Sequence, residues 1–446
     1  MGGTLFFTQM ARLRTIRFHK SPTRLQQTLS QNSVRRYLQL FLVLLGVAGC
    51  LFVFRFAAAY GLARVLDVYA LTAGNRAAAE RATQVAPADA ESHFGRAAVA
   101  SLAGNPSESV NELEQAVALR QVDYRLWSEL GLIRDQLGDH SGALAAFTEA
   151  VSRAPFYSRP RWNRGNLRLR LGDYEGAFSD LSQAAQSNPE LIPGLLDLAW
   201  SVSRGDVETT EQFARIQGGE MHLAFARLLA KKGKASEVVR QIEAAGSVPE
   251  AIKRELVEQL VAKGAFQEAF MISHGRQPDL NVPAVYDGGF EASLALDQSG
   301  FVWRVPRNPE SANITLDSNH PDSGVQFLRV TFAGNSNPGI PLLSQLLLVQ
   351  PGGHYRVNFA GRSEEIVSGG LPLVIVSDAA GDQKRLGQSS PLSKGSGDWQ
   401  HYSFEFTIPA TTSAVTLSLQ RENCSTSPCP IFGSALLDSF SLEKLR

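Results

Sequence analysis

The sequence predicts a multidomain chain in three successive parts: a transmembrane helix, an all-α solenoid of helical hairpins, and an all-β sandwich. Three observations predict it. An uncharged apolar run stands near the N-terminus behind a basic arm. A 34-residue internal period fills the middle of the chain. In the last third, period-two alternation of apolar and polar residues replaces the helical pattern. The 446 residues, 44% hydrophobic and 19% charged, suffice for two or three domains with their own cores and are too apolar for a disordered chain.

The formal net charge of zero hides an asymmetry. Residues 1–36 carry Arg12, Arg14, Arg17, Lys20, Arg24, Arg35 and Arg36 and no acid; the first acid in the chain is Asp67. The remainder is weakly acidic, which does not suggest a nucleic-acid binder. From Leu38 to Phe54 the only polar side chain is Gln39, and residues 56–63 are again uncharged. A bilayer core asks for about 20 apolar residues. The span is therefore predicted at 37–63, with Arg55 snorkelling to the far interface. A cleaved signal peptide is the alternative. The run exceeds the usual length of such a segment, and residues 57–59 offer only a weak small-residue cleavage site. The basic arm keeps the N-terminus cytoplasmic. The expected location is a single pass of the inner (plasma) membrane, with the later domains periplasmic or extracellular.

The repeat is clearest when 124–157 is laid on 158–191. Gly131 falls on Gly165, Gly138 on Gly172, Asp139 on Asp173, Ala143 on Ala177, Ala150 on Ala184 and Pro155 on Pro189. Gly131 and Gly165 allow the two helices of a hairpin to approach closely. Gly138 and Gly172 end the first helix in a left-handed turn. Pro155 and Pro189 stop the second. Weaker copies precede the pair, and hairpins continue after it, broken at Gly233 and Gly264, so that 75–275 reads as one array of five or six hairpins. With Trp127, Leu130, Gly131, Ala143, Phe147, Ala150 and Pro155, the first of these repeats resembles the tetratricopeptide repeat (TPR). The second departs, placing Arg161 and Arg164 at positions that are usually apolar.

The TPR resemblance implies a scaffold that binds protein partners and does no chemistry. Its concave face, formed by the first helix of each hairpin, would hold Arg125, Ser128, Leu132, Arg159, Trp162, Asn166 and Arg170. Asn166 matches an asparagine that such arrays set against a ligand backbone, while the lysine of a carboxylate clamp is absent. Arg161, Arg164 and Arg168 share one helix face, which reads either as solvated beside Asp173 and Glu175 or as a contact for an acidic partner.

After a linker at 276–281, strands are expected over 282–446 at 327–333, 342–349, 355–359, 371–376, 402–408, 415–419 and 435–442, with turns at 351–353, 378–381 and 394–398. The run of Gly289, Phe290, Glu291, then Trp303, then Pro351, Gly352 and Tyr355, then Trp399 and finally Asp438, Phe440 and Leu442 resembles the carbohydrate-binding modules of the galactose-binding-like jelly-roll type. That resemblance implies polysaccharide as a ligand and a structural calcium, with Glu291 and Asp438 at the matching positions. Two carboxylates fall short of calcium's six to eight oxygens without backbone carbonyls. Trp303, Trp399 and Tyr355 are the aromatic candidates for a sugar platform and are read as core residues. Cys424 and Cys429 read as a local disulfide stapling a loop, and Cys50 as a small apolar residue in the membrane run.

No nucleophile elbow, phosphate loop, dinucleotide fingerprint or HExxH pattern is present, so no enzyme is expected. Glu364 and Glu365 are adjacent and read as a solvated loop. Two functions follow. The first is a membrane-anchored extracytoplasmic scaffold gathering protein partners, in envelope or exopolysaccharide assembly. The second is a polysaccharide-binding targeting subunit of a carbohydrate-active enzyme, or such an enzyme itself.

Overall fold

The computed structural model describes residues 24–280, 284–296, 300–306, 312–335, 337–381, 383–425 and 428–445. Arg12, Arg14, Arg17 and Lys20 of the basic arm, and Asn281 and Val282 at the linker, lie outside the described residues. The chain divides into two compact units, Met1–Asp180 and Leu181–Arg446.

The first unit is all helical: α1 (Arg24–Ala73), α2 (Arg76–Val85), α3 (Ala90–Leu102), α4 (Pro106–Leu119), α5 (Tyr124–Gln136), α6 (His140–Arg153), α7 (Ser158–Arg170) and the start of α8 (Tyr174–Ser187). Acidic and amide side chains set the helix starts. Asn75, Asp89, Asn105, Asp123 and Asp139 each accept a backbone N–H of the first turn, and Asp173 accepts that of Gly176 at 3.0 Å. Turn glycines end the first helix of each hairpin, Gly104, Gly138 and Gly172 having φ of 75°, 80° and 83°. The close-packing role of Gly131 holds: a Cβ there would lie 2.6 Å from Cε1 of Phe147.

The structure joins the apolar N-terminal run to the array. Helix α1 is unbroken, and its last part is the first helix of the first hairpin. Described side chains are exposed from 35 to 58, are partly covered from Ala59, and at Ala63, Asp67 and Ala70 are buried. The repeat period runs back into it, since Ala63, Ala97, Gly131 and Gly165 lie 34 apart and all are buried. In this first repeat the turn comes four residues late, at Gly74, and α2 is four residues shorter than α4, which restores the register.

The second unit holds α9 (Ile192–Val202), α10 (Val207–Ala214), α11 (Gly219–Lys231), α12 (Ala235–Ala245), α13 (Glu250–Ala262) and α14 (Phe266–His274), close to the expected hairpins. Gly233 and Gly264 turn with positive φ, as their places between helices require. Eleven strands follow among the described residues: β1 (Ala295–Leu296), β2 (Arg304–Val305), β3 (Ala312–Asp317), β4 (Phe327–Asn335), β5 (Leu343–Leu348), β6 (His354–Ser368), β7 (Pro372–Asp378), β8 (Arg385–Gln388), β9 (Gln400–Thr407), β10 (Ala414–Arg421) and β11 (Pro430–Lys444). They form a six-stranded sheet, β1-β2-β5-β10-β7-β8, and a five-stranded sheet, β3-β4-β11-β6-β9, antiparallel except for β1 with β2. Inward residues of both sheets, among them Trp303, Tyr355, Phe359, Leu417 and Phe440, make one core. The strands β1, β2 and β8 are too short for the alternation argument, while β3, not singled out in the sequence, does alternate, with Ala312, Ile314 and Leu316 packed against the core.

Candidate partner-binding site

Of the seven residues expected on the concave face, Arg125, Arg159 and Arg170 are exposed, Leu132, Trp162 and Asn166 are half-buried, and Ser128 is buried. Ser128 is buried, and its Oγ has no hydrogen-bond partner. Leu132 is half-buried and packs against the cluster of Ala143, Phe147 and Leu167. The arginines are not free. Arg125 pairs with Asp123 at 2.8 Å and holds that carboxyl below its usual range by hydrogen bonding to it. Arg159 pairs with Glu129 at 2.8 Å, and Arg170 pairs with Asp135. Glu129 and Asp135, which the periodicity did not single out, thus match the arginines of the next repeat acid for base. Asn166 gives Nδ2 to the carbonyl of Trp162 at 2.8 Å, closing a turn within α7. The half-buried Trp162 ring and the remaining amide oxygen of Asn166 stand between these ion pairs.

The stripe Arg161, Arg164 and Arg168 is neither a solvated face nor a contact for an outside acid. Its partner is inside the hairpin. Asp180, 2% exposed, accepts Arg164 Nε and Nη2, each at 2.7 Å, and Arg168 Nη1 at 2.9 Å. Arg161 donates to the carbonyl of Pro155 at 2.9 and 3.0 Å. One repeat earlier, Trp127 gives its Nε1–H to the carbonyl of Gln121 at 2.8 Å. One repeat before that, His93 Nε2 lies 3.1 Å from the carbonyl of Pro87. Three different side chains at one register position therefore serve one carbonyl of the turn between hairpins. The position asks only for a donor long enough to reach that carbonyl, not for one residue type.

In the sandwich, Trp303 and Tyr355 are core residues, as expected. The Trp303 Nε1–H donates to the Asp287 carbonyl at 2.9 Å, the Tyr355 hydroxyl accepts from Gln350 N at 2.8 Å, and burial pushes the Tyr355 phenol up. Trp399 is half-buried, edge-on to Phe327 at 5.4 Å, with its Nε1–H on the His320 carbonyl. The outer face of the five-stranded sheet carries a charged row. Arg329 lies between Asp317 at 2.7 Å and Glu364 at 2.6 Å, and Arg362 adds a second bond to Glu364 at 2.7 Å. Glu364 and Glu365 accordingly sit in β6 and not in a loop, with Glu365 at φ 53° where the strand bulges against β11. Phe432, 52% exposed, and the exposed Val367 are opposite one another at one end of this face.

Glu291 and Asp438 come together near one loop. Asp438 is fully buried. Its Oδ2 accepts the N–H of Asp322 and of Ser323, each at 3.0 Å, and its Oδ1 accepts the N–H of Ser439 at 2.6 Å. Glu291 Oε1 accepts Val325 N at 2.9 Å. The Asp322 carboxylate also faces Asp438 and accepts the Ser439 hydroxyl at 2.8 Å. Among the described residues no three His, Cys, Asp or Glu side chains gather as a metal site. The pair instead pins the loop at 322–325 to the last strand. Cys424 and Cys429 are disulfide-bonded with Cα atoms 5.6 Å apart, against Gly369 and Gly370, where a Cβ would lie 3.2 and 3.3 Å from the Cys424 sulfur.

The comparisons with known proteins agree with this helical geometry. A tetratricopeptide-repeat family model matches residues 102–158 and 129–192. No curated protein matches the sequence. Similar solved structures include pilF of Pseudomonas aeruginosa, 17% identical, covering 50% of this chain and 99% of that one with a TM-score of 0.32. MamA of Desulfovibrio magneticus RS-1, from residue 41 to its end, is 17% identical and covers 35% and 90% with a TM-score of 0.31. A structure reported as "CBM4 structure and function" is 14% identical and covers 36% and 99% with a TM-score of 0.28. At such scores these likenesses carry nothing beyond the family match. Residues 102–192 are tetratricopeptide repeats, set in a longer all-α array that a β-sheet region follows.

Proposed function

We propose that the chain is a membrane-anchored scaffold whose repeats gather protein partners outside the cytoplasm, in envelope or exopolysaccharide assembly, and that it does no chemistry of its own. The observation that carries this reading is α1. From 35 to 58 its side chains are exposed and largely apolar, and without a break it then becomes the first helix of the repeat array. An exposed apolar helix of that length is stable only in lipid or under a partner. The basic residues before it favour a cytoplasmic N-terminus. The repeat match favours protein partners, and the acid-matched arginines leave Trp162 and Asn166 as the contact points. Pull-down with the full chain and with Trp162→Ala tests the face: partner recovery should fall sharply, and unchanged recovery would sink this placement. A periplasm-active reporter fused after Arg446 tests the sidedness; an inactive reporter would reverse it.

A second reading rests on the outer face of the five-stranded sheet. There a row of paired charges runs toward the exposed ring of Phe432, and sugar faces pair with rings while their hydroxyls pair with such charges. On this reading the sandwich targets the scaffold to polysaccharide. A glycan array with the full chain and with Phe432→Ala should show binding that the variant loses. Silence across neutral and acidic glycans would end it.

A further inference from the structure

We propose that the edge of the array formed by the turns between hairpins rests on the surface of the same bilayer that holds α1, with Val122 and Phe156 set among the lipid headgroups. The proposal rests on reading α1 as the membrane helix and deepens it by saying how the array sits.

Direct contacts trace the edge. Arg64 on α1 reaches Asp89 at 3.1 Å and Glu91 at 3.6 Å, in and after the turn at 86–89. Arg120, in the next turn, reaches Glu91 at 3.3 Å and Asp123 at 3.7 Å. Arg153 donates to the carbonyl of Gln121, and the rings of Tyr124 and Tyr157 are 5.0 Å apart, which brings in the turn at 154–157. The three turns therefore form one contiguous edge that begins beside Arg64.

The position of that edge along α1 is fixed by burial. The 22 residues from 37 to 58 are all exposed, and they make a helix of about 33 Å, matching a hydrocarbon core of about 30 Å. On this proposal the lipid-facing span is taken as 37–58, because the array begins to cover one side of the helix at Ala59. Arg64 is six residues further on, about 9 Å. The headgroup layer is about 5–8 Å thick on each side. The turns beside Arg64 thus come just outside that layer, within a side chain's length of the headgroups.

The chemistry at the turns fits that environment. Val122 and Phe156 occupy the same register position, 34 apart, and are 82% and 87% exposed. Tyr157 is 58% exposed beside them. The Arg125 and Arg159 side chains, 63% and 68% exposed, stand in the first turn of α5 and α7. The capping acids Asp89 and Asp123 are turned inward, at 4% and 10%. Aromatic and aliphatic tips flanked by arginine, with the capping acids turned inward and Glu91 paired to Arg64 and Arg120, make an interfacial surface. One repeat further from the anchor the same register position is Glu190.

The test is site-directed spin labelling of the full chain in phospholipid bilayers, in a Cys50→Ser background. One label is placed by Phe156→Cys, one by Leu137→Cys in the α5–α6 turn, and one by Leu45→Cys in α1. All three sites are exposed, so labelling leaves the core intact. Collision with an aqueous nickel chelate should be several-fold lower at 156 than at 137, with oxygen collision raised at 156. Equal nickel access at 156 and 137, with 45 in lipid, would overturn the proposal and leave the anchor standing. Aqueous access at 45 would overturn the anchor, and this proposal with it.

Discussion

Arg164 and Asp180 occupy, one repeat on, the positions of Leu130 and Ala146, and they replace an apolar contact between the two helices of a hairpin with a buried bidentate ion pair. One repeat before, Arg96 and Glu112 hold the same two positions and pair at 3.1 Å. The contact thus runs charged, apolar, charged along the array. The fold needs the two positions to be complementary, not to be of one kind.

That relationship predicts a double-mutant result. Asp180→Ala strands the Arg164 guanidinium in the hairpin and should cost about 3–5 kcal/mol. Adding Arg164→Leu recreates the pair found at Leu130 and Ala146 and should recover most of the loss. Urea denaturation of the purified chain measures both. A single variant as stable as the parent would show that the ion pair contributes nothing.

Close approach at Gly131 predicts a second effect. Gly131→Ala sets a methyl group 2.6 Å from the Phe147 ring, which is itself 1% exposed and cannot swing away. A loss of about 1–3 kcal/mol is expected. Gly46→Ala, inside α1 where nothing lies within 4 Å, should not lower stability. Thermal unfolding followed by circular dichroism separates the two.

A third prediction concerns pH. His274 stacks on Phe270 at 4.1 Å and lies 5.8 Å from Phe301, where α14 meets the sandwich. Burial holds its imidazole below the usual range, helped by the charges of Arg276 and Lys253. The unfolded chain therefore binds the proton first. Stability is full above the unfolded value of about 6.5 and falls as the pH drops below it. The melting temperature should drop between pH 7.5 and 5.5, and His274→Phe should flatten that dependence. An identical slope in the variant would assign the effect elsewhere.

The disulfide predicts a local loss. Closing so short a loop contributes about 2 kcal/mol in the chain-entropy account. Replacing Cys424 and Cys429 together by serine should lower sandwich stability by that amount while leaving the helical signal unchanged, as hydrogen exchange over the two regions would report.

The sequence by itself determined the repeat and its punctuation. Gly138, Asp139 and Pro155 act through their own backbone conformation or a neighbour three residues away, so their meaning is local and a 34-residue shift exposes it. The alternation in β6, β9 and β10 was legible for the same reason, since a strand's two faces are set by residue parity. The cysteine spacing was legible too. Tertiary structure decided what the charged side chains meet. Arg164 finds Asp180 sixteen residues away across a hairpin, Arg159 finds Glu129 on the preceding repeat, and Asp438 finds the backbone of a loop more than a hundred residues earlier. A paired arginine and a solvated one have the same sequence pattern. Only the packing that brings a donor within 3 Å of an acceptor tells them apart. It also decided that α1 belongs to the array as well as to the apolar run, because an apolar helix residue facing lipid and one facing another helix differ only in what lies beside it.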